Sequence, residues 1–438
     1  MSIFLNPVII SVALLCILCL CRVNVLLAII ISAIAAGLTG GMHISEVMNT
    51  FISGMGGNAE TALSYILLGT FAAAMTHTGL ATILAKKIAS VIDGKKFVLI
   101  SIITVIAMLS QNLIPVHIAF IPILIPPLLH VMNKLKLDRR SVACAISFGL
   151  KAPYITIPAG FGLIFQGLIA ENMSLNGMSV LKNEIWKSTW ILGVGMFIGL
   201  LVAVLVTYRK PRIYEDKNFA KNKNEMADEE ALKLNKNHYI TLIGAFATLV
   251  VQLMTKSLPL GALVGLGIVF GGGAVSHKKM DKLINEGIGL MGYVAFVMLV
   301  AAGFALVLKQ TGGIEVLVNA MLPFMQNSRL IAVGLMLFIG LFVTMGIGTS
   351  FGTIPILAVL FVPVCSHLGF SPAATIVILA AAAALGDAGS PASDTTLGPT
   401  AGLNADGQHN HITDTCIPTF LHFNIPLIIF AILAAYIF

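Results

Sequence analysis

Charge is scarce in this sequence: only 10% of its 438 residues are Asp, Glu, Lys or Arg, against about a quarter in ordinary soluble domains. With 58% hydrophobic residues and a mean hydropathy of +0.97, that scarcity excludes a water-soluble globular chain and points to a cell-membrane protein of several spans. Stretches such as Asn24 to Thr39 and Ile417 to Phe438 contain no Lys, Arg, Asp or Glu. With their apolar flanks they are long enough for a hydrocarbon core of about 30 Å. The short alternating segments of a transmembrane β-barrel are missing too, so the fold class is all-α. The first apolar run, Ile3 to Cys21, lacks a basic leader and a small-x-small cleavage pattern and reads as a retained helix. Cysteine is sparse, and Cys16, Cys19 and Cys21 crowd that one helix, a pattern of packing residues and not of a disulfide framework or metal knuckle. No H-E-x-x-H, nucleophile elbow or phosphate-binding loop is present, and no loop is large enough for a catalytic domain, which argues against an enzyme and against any cofactor. The net charge of +7 sits in short loops between apolar runs, where topology explains it better than nucleic-acid binding.

One segment breaks the apolar pattern. From Arg209 to Asn237 Lys, Arg, Glu, Asp and Asn dominate, and this hydrophilic linker divides the chain into residues 1–208 and 238–438. The two parts match at one ungapped offset of 233, which pairs Gly40 with Gly273, Gly54 with Gly287, Gly56 with Gly289, Phe71-Ala72 with Phe304-Ala305 and Leu84 with Leu317. The same register pairs Ile121 to Leu124 with Ile354 to Leu357 and Pro158-Ala159 with Pro391-Ala392. A tetrapeptide and a Pro-Ala pair in one register are hard to attribute to a glycine-rich composition, so the chain reads as an internal repeat.

Basic loops give the repeat a direction. Lys86, Lys87, Lys95 and Lys96 form one cluster, and Lys134, Lys136, Arg139 and Arg140 the next. Both are expected on the cytoplasmic side with the linker, whereas His43 to Asn58 carries no Lys or Arg and belongs outside. Lys278, Lys279 and Lys282 follow a helix that the offset aligns with the one ending near His43, so equivalent elements run in opposite directions. The predicted architecture is about ten transmembrane helices plus two opposed helical hairpins in two inverted-topology repeats. The hairpins are Phe97 to Asn133, interrupted at Gln111, Asn112, Pro115 and His117, and about Leu330 to Leu368, interrupted between Thr344 and Gly352.

Interruptions at membrane depth are tolerated only beside protein or a water-filled cavity, which makes them pointers to a site. Two more follow the hairpins, Gly149 to Gly160 and Gly386 to Thr396. The second offers prolines, glycines, hydroxyls and two carboxylates, the oxygen ligands of a small hard cation, with Asp387 and Asp394 as Na⁺ ligands. Asp394 competes with an ordinary role in starting the next helix. Lys151 in the first break is expected to be the internal partner of Asp387 or Asp394. His117 is a lesser proton-relay candidate and His77 a weaker one. His409 and His411, beside Asp406 and Asp414, read as a solvated connector.

The run Gly386-Asp387-Ala-Gly-Ser390-Pro391-Ala-Ser393-Asp394-Thr395-Thr396 resembles the signature of the NhaC-type sodium/proton antiporters of the ion transporter superfamily. The two-repeat layout and opposed hairpins extend the resemblance over most of the chain. It implies a scaffold part and a moving transport part, alternating access, and a homodimer. In the superfamily, hairpin tips and broken helices form the substrate and cation sites, which maps onto Gln111, Asn112, Thr349, Ser350, Asp387, Ser390, Ser393 and Asp394, with Thr395 beside them. Ala388-Gly389 leave more room than a bare ion needs, and the Ser-Asn-Thr tip motif of the dicarboxylate relatives is absent. The ending around His422-Phe-Asn-Ile-Pro resembles a branch described as amino-acid permeases, with histidine a proposed substrate. Two functions follow: cation-coupled transport of the Na⁺/H⁺ antiporter kind, or Na⁺- or H⁺-coupled amino-acid uptake. A channel would need a continuous polar or dewetting constriction and fits inverted broken helices less well.

Overall fold

Several helices in this chain begin where a side chain satisfies an amide that has no partner in the first turn. The computed structural model describes residues 5–80, 83, 95–112, 121–159, 161–215, 234–255, 257–325 and 328–438. Leu84, Lys86, Lys87, Pro115, His117, Gly160 and linker residues 216–233 lie outside the described residues. Asn6 caps α1 (Pro7–Leu20), Asn24 caps α2 (Val25–Thr39), and α3 (Ile44–Met55) and α4 (Ala59–Thr78) follow. The first hairpin is α5 (Lys96–Asn112) and α6 (Ile121–Lys134). Asp138 caps α7 (Arg139–Thr156), followed by α8 (Phe161–Leu175) and α9 (Ile185–Val202).

The second half runs through α10 (Lys236–Thr255), α11 (Leu258–Gly271), α12 (Met280–Gln310) and α13 (Gly313–Met325). Its hairpin is α14 (Arg329–Ile347) and α15 (Ser350–His367), followed by α16 (Pro372–Ala384), α17 (Asp394–Leu403) and α18 (His411–Ile437), the last including π turns. No strand occurs among the described residues.

Six of these helical spans are long and apolar enough to cross a membrane, and the bent pair α7 and α8, at 47°, makes a seventh. The expected count of about ten is not reached by length because α1, α2, α11 and α16 are apolar but only 13 to 15 residues long. At 1.5 Å per residue such helices fall short of a full span, which is the geometry of broken crossings.

The offset of 233 reappears in the helix boundaries. Helices start at Val25, Lys96, Arg139 and Phe161 in the first half and at Leu258, Arg329, Pro372 and Asp394 in the second. The equivalent of α3 and α4 is the unbroken α12, and the two pack antiparallel. His77 meets Lys279 at 3.2 Å, Asn58 donates to Met298 O at 2.9 Å, and Thr50 donates to Gln310 Oε1 at 2.8 Å. Gly287 permits this approach, since a Cβ there would lie 2.3 Å from Thr70 N. Antiparallel contact between equivalent elements is what an inverted repeat requires.

A second crossing is shared by both halves. A Cβ at Gly149 on α7 would lie 2.4 Å from Ala107 Cβ on α5, and a Cβ at Gly340 on α14 would lie 2.5 Å from Ala382 Cβ on α16. Positions 149 and 382 are equivalent, as are 107 and 340, so the glycine has changed sides while the close hairpin-to-helix contact is the same.

Candidate functional site

The break between α16 and α17 is built by backbone geometry. Gly386 and Gly389 take φ of +81° and +100°, a region open to glycine, and Pro391 brings no amide hydrogen. At Gly386 a Cβ would lie 2.5 Å from Leu341 O, so the break is pressed against α14. Asn424 on α18 holds it from the other side, donating to Ala388 O at 2.8 Å and accepting from Gly386 N at 3.3 Å.

Within this turn lies Asp387, only 3% exposed. Its Oδ2 accepts from Ser350 Oγ at 2.8 Å and from Tyr154 OH at 3.2 Å, while Tyr154 OH and Ser350 Oγ are 2.9 Å apart. Its Oδ1 accepts from Ser393 Oγ and, at 3.4 Å, from Thr395 Oγ1. The fully buried Lys151 lies with Nζ 3.4 Å from Asp387 Oδ2 and also bonds the Ala384 carbonyl at the end of α16. A charge sealed in this way is costly unless paired, and here each of the two is the other's partner.

These contacts show where the halves meet. Lys151 touches Ala384 and Tyr154 touches Asp387, each separated by 233 residues. Equivalent positions of a twofold-related pair meet at the axis, so the pseudo-twofold passes through the ion pair.

The expected site residues divide. Lys151, Asp387, Ser350, Ser393 and Thr395 converge. Ser390 turns away, donating to Met345 O at 3.2 Å, and braces the break against α14. Thr349 precedes α15 at the hairpin tip, where Gly348 takes φ +77° and a Cβ would lie 3.2 Å from Ala392 O, while Thr349 O accepts from Thr353. Asp394 is the first residue of α17, but the cap is Ser393, which accepts from Thr395 N at 3.1 Å. Asp394 Oδ1 is 3.5 Å from Ser393 Oγ, so one serine stands between the two carboxylates. Gln111 and Asn112 end α5; their side chains, like His117, lie outside the described residues. Tyr154 and Asn424 were not among the expected site residues. The offset already set Tyr154 opposite Asp387, and a buried Asn in an apolar helix was the signal for the other.

One expectation is corrected. The connector is solvated only in part, because Asp406, His409 and Asp414 turn inward while Asn404, Ala405, Gly407, Asn410 and Thr413 are exposed, and Asp406 is a partner of the fully buried Arg139. Its guanidinium bonds Asp406 at 2.7 and 2.5 Å and Leu403 O at 2.9 Å, under the Tyr214 ring at 4.2 Å. Arg212, from the start of the linker, bonds Asp414 at 2.7 Å. His409 is 2% exposed, with Nε2 2.7 Å from Thr415 Oγ1.

An apolar cavity of about 410 Å³ borders the break, lined by Cys16 and Cys19 of α1, Phe342 and Met345 of α14, and Gly389 and Pro391.

Comparison with known proteins places this geometry in a family. Residues 145–433 match the model of the Na⁺/H⁺ antiporter family, and residues 6–92 match a second model described as a Na⁺-H⁺ antiporter family. An uncharacterised membrane protein of Vibrio parahaemolyticus is 47% identical, covering 98% of this chain and 99% of its own. YuiF of Bacillus subtilis, by name a candidate amino acid transporter, is also 47% identical, with the same coverage of 98% and 99%. Among solved structures, the YdaH transporter of Alcanivorax borkumensis covers 89% of this chain and 87% of its own at 14% identity and a TM-score of 0.43. That likeness carries no argument about the site. Lys151, Tyr154 and the break that holds Asp387 fall within the matched residues 145–433, and the chain belongs to the Na⁺/H⁺ antiporter family.

Proposed function

We propose that this transporter exchanges Na⁺ for H⁺ by letting the external cation and the Lys151 ammonium compete for Asp387. The observation that carries this reading is the 3.4 Å contact between a fully buried Lys151 and a 3%-exposed Asp387 on the pseudo-twofold axis. In the resting pair the charges cancel. Na⁺ would be held by Asp387 with the hydroxyls of Ser350, Ser393 and Thr395, hard oxygen donors already gathered on that carboxylate. Lys151, left as a buried charge without a partner, then sheds its proton. One Na⁺ gained for one H⁺ released keeps the site neutral, and each form can cross between the two sides without a bare buried charge. The inverted halves supply the alternating access, with loops 134–140 and 404–410 on the cytoplasmic side, and the superfamily supports a homodimer.

Asp387→Asn tests the reading. Na⁺-dependent pH changes in proteoliposomes are expected to vanish, and a variant as active as wild type contradicts the exchange.

A second reading, uptake of an amino acid coupled to Na⁺ or H⁺ through the same pair, is supported by the 410 Å³ cavity beside Gly389 and Pro391 and by the name of the Bacillus relative. Such a volume is within the range of small-molecule sites. Uptake of radiolabelled amino acids, histidine included, under imposed Na⁺ and H⁺ gradients separates the two.

A further inference from the structure

The break that carries Asp387 frees peptide groups from α16, and α18 meets them one after another. His411 Nε2 lies 2.9 Å from Pro391 O, Cys416 Sγ lies 3.9 Å from Ser390 O, and a Cβ at Gly389 would stand 2.5 Å from Phe420 Cβ. Asn424 ends the series: its Nδ2 donates to Ala388 O at 2.8 Å, and its Oδ1 accepts from Gly386 N at 3.3 Å. As positions 411 to 424 ascend, positions 391 to 386 descend, so the two segments run antiparallel.

The π turns of α18, His411–Cys416 and Phe420–Asn424, serve this contact. At 3.6 residues per turn, side chains five apart on an α-helix point roughly 140° away from each other. The i→i+5 bonding of a π turn brings them nearer to one face, which lets His411 and Cys416 reach the same break.

Asn424 differs from the other three in what it holds. Its two bonds flank Asp387, one on the residue before and one on the residue after, and Asn424 itself is buried. A carboxamide offers a donor and an acceptor in one planar group, so a single side chain fixes both peptide groups that set the direction of the Asp387 side chain. The bond to Gly386 N also secures the left-handed residue, φ +81°, at which the chain leaves α16. We propose that Asn424 is a positioning residue for Asp387: by clamping both of its neighbours it keeps the carboxylate turned toward Lys151 and the hydroxyls of Ser350, Ser393 and Thr395. This role rests on the exchange reading above. It also gives a place to the run His422-Phe-Asn424-Ile-Pro. His422 ties the same turn to Thr207 Oγ1 at 2.9 Å, so the run carries one residue that anchors the turn and one that grips the break.

The test is Asn424→Ala in the full chain, purified and placed in proteoliposomes. Proton movement is followed with a trapped pH dye as imposed Na⁺ is varied, and thermal unfolding is measured on the same preparation. Half-saturating Na⁺ is expected to rise on the order of tenfold, as when an outer partner of a metal ligand is lost. A merely structural role would lower the melting temperature and the maximal rate and leave half-saturating Na⁺ where it was. Thr207→Val, which loosens the same turn through His422, is the control, expected to melt earlier with wild-type half-saturating Na⁺. Where Asn424→Ala yields no folded protein, Asn424→Ser is read by the same criterion. Wild-type half-saturating Na⁺ in the Asn424 variant overturns the assignment, as does an equal rise in Thr207→Val. Wild-type protein whose Na⁺ gradient moves no protons overturns the exchange reading and this role with it.

Discussion

Two opposite charges sealed inside a membrane protein stay ionised only while each has the other, and this dependence gives Lys151 and Asp387 a measurable signature. Removing the lysine alone strands a carboxylate among four hydroxyls, so Lys151→Ala is expected to cost about 3–5 kcal/mol. Lys151→Ala/Asp387→Asn, which removes both charges, is expected to recover much of that loss. Unfolding in detergent, with the four proteins compared as a cycle, checks it. A second residue-scale prediction concerns Asp406. Burial raises its carboxyl, but the bonds from Arg139 outweigh burial and hold it below the usual carboxylate range. A group whose folded value lies below the unfolded ~3.9 contributes fully above about pH 4, and that contribution is lost as pH falls through the folded value. Protection of the 404–410 amides, taken relative to the intrinsic exchange rate at each pH, is therefore expected to fall in acid in the wild type, and already at neutral pH in Asp406→Asn.

At the scale of elements, the site depends on breaks that only particular backbones allow. Gly386→Ala places a side chain at φ +81° and 2.5 Å from Leu341 O, and is expected to cost about 2–5 kcal/mol from strain and overlap together. The measurement is thermal stability and transport of the same purified variant, with Ala388→Gly as a control for added flexibility in the same turn. This scale also shows what the sequence could and could not reveal. The second break, its aspartate and its oxygen donors were legible because Gly-Asp-x-x-Ser-Pro is alien to an apolar helix. Ser393 as the cap and Asp394 as the residue after it were not, because both types favour that position and only the backbone decides. The inward turn of His409 was illegible for a different reason: its partner Thr415 is held by Thr400 through the fold of α17 against α18, and Asp406 looks solvated until Arg139 is seen to need it.

At the scale of the whole molecule, the offset of 233 was legible in the sequence, and the shared helix starts and the antiparallel packing of α4 against α12 are in keeping with an inverted repeat. Single cysteines introduced at Lys136 and Lys278 are expected to react with an impermeant maleimide only after permeabilisation of cells, and one at Glu46 to react without it. The reverse pattern would turn the topology over. What the repeat did not reveal was that equivalent positions touch: its asymmetry, lysine in one half and aspartate in the other, is resolved in one ion pair on the axis. Whether that pair is the exchange site is decided most directly by proton release on Na⁺ binding. In weakly buffered detergent solution, wild-type protein is predicted to release about one proton per Na⁺ bound, and Lys151→Ala to bind Na⁺ and release none, because the proton comes from Lys151. Proton release by Lys151→Ala equal to that of the wild type would contradict the account.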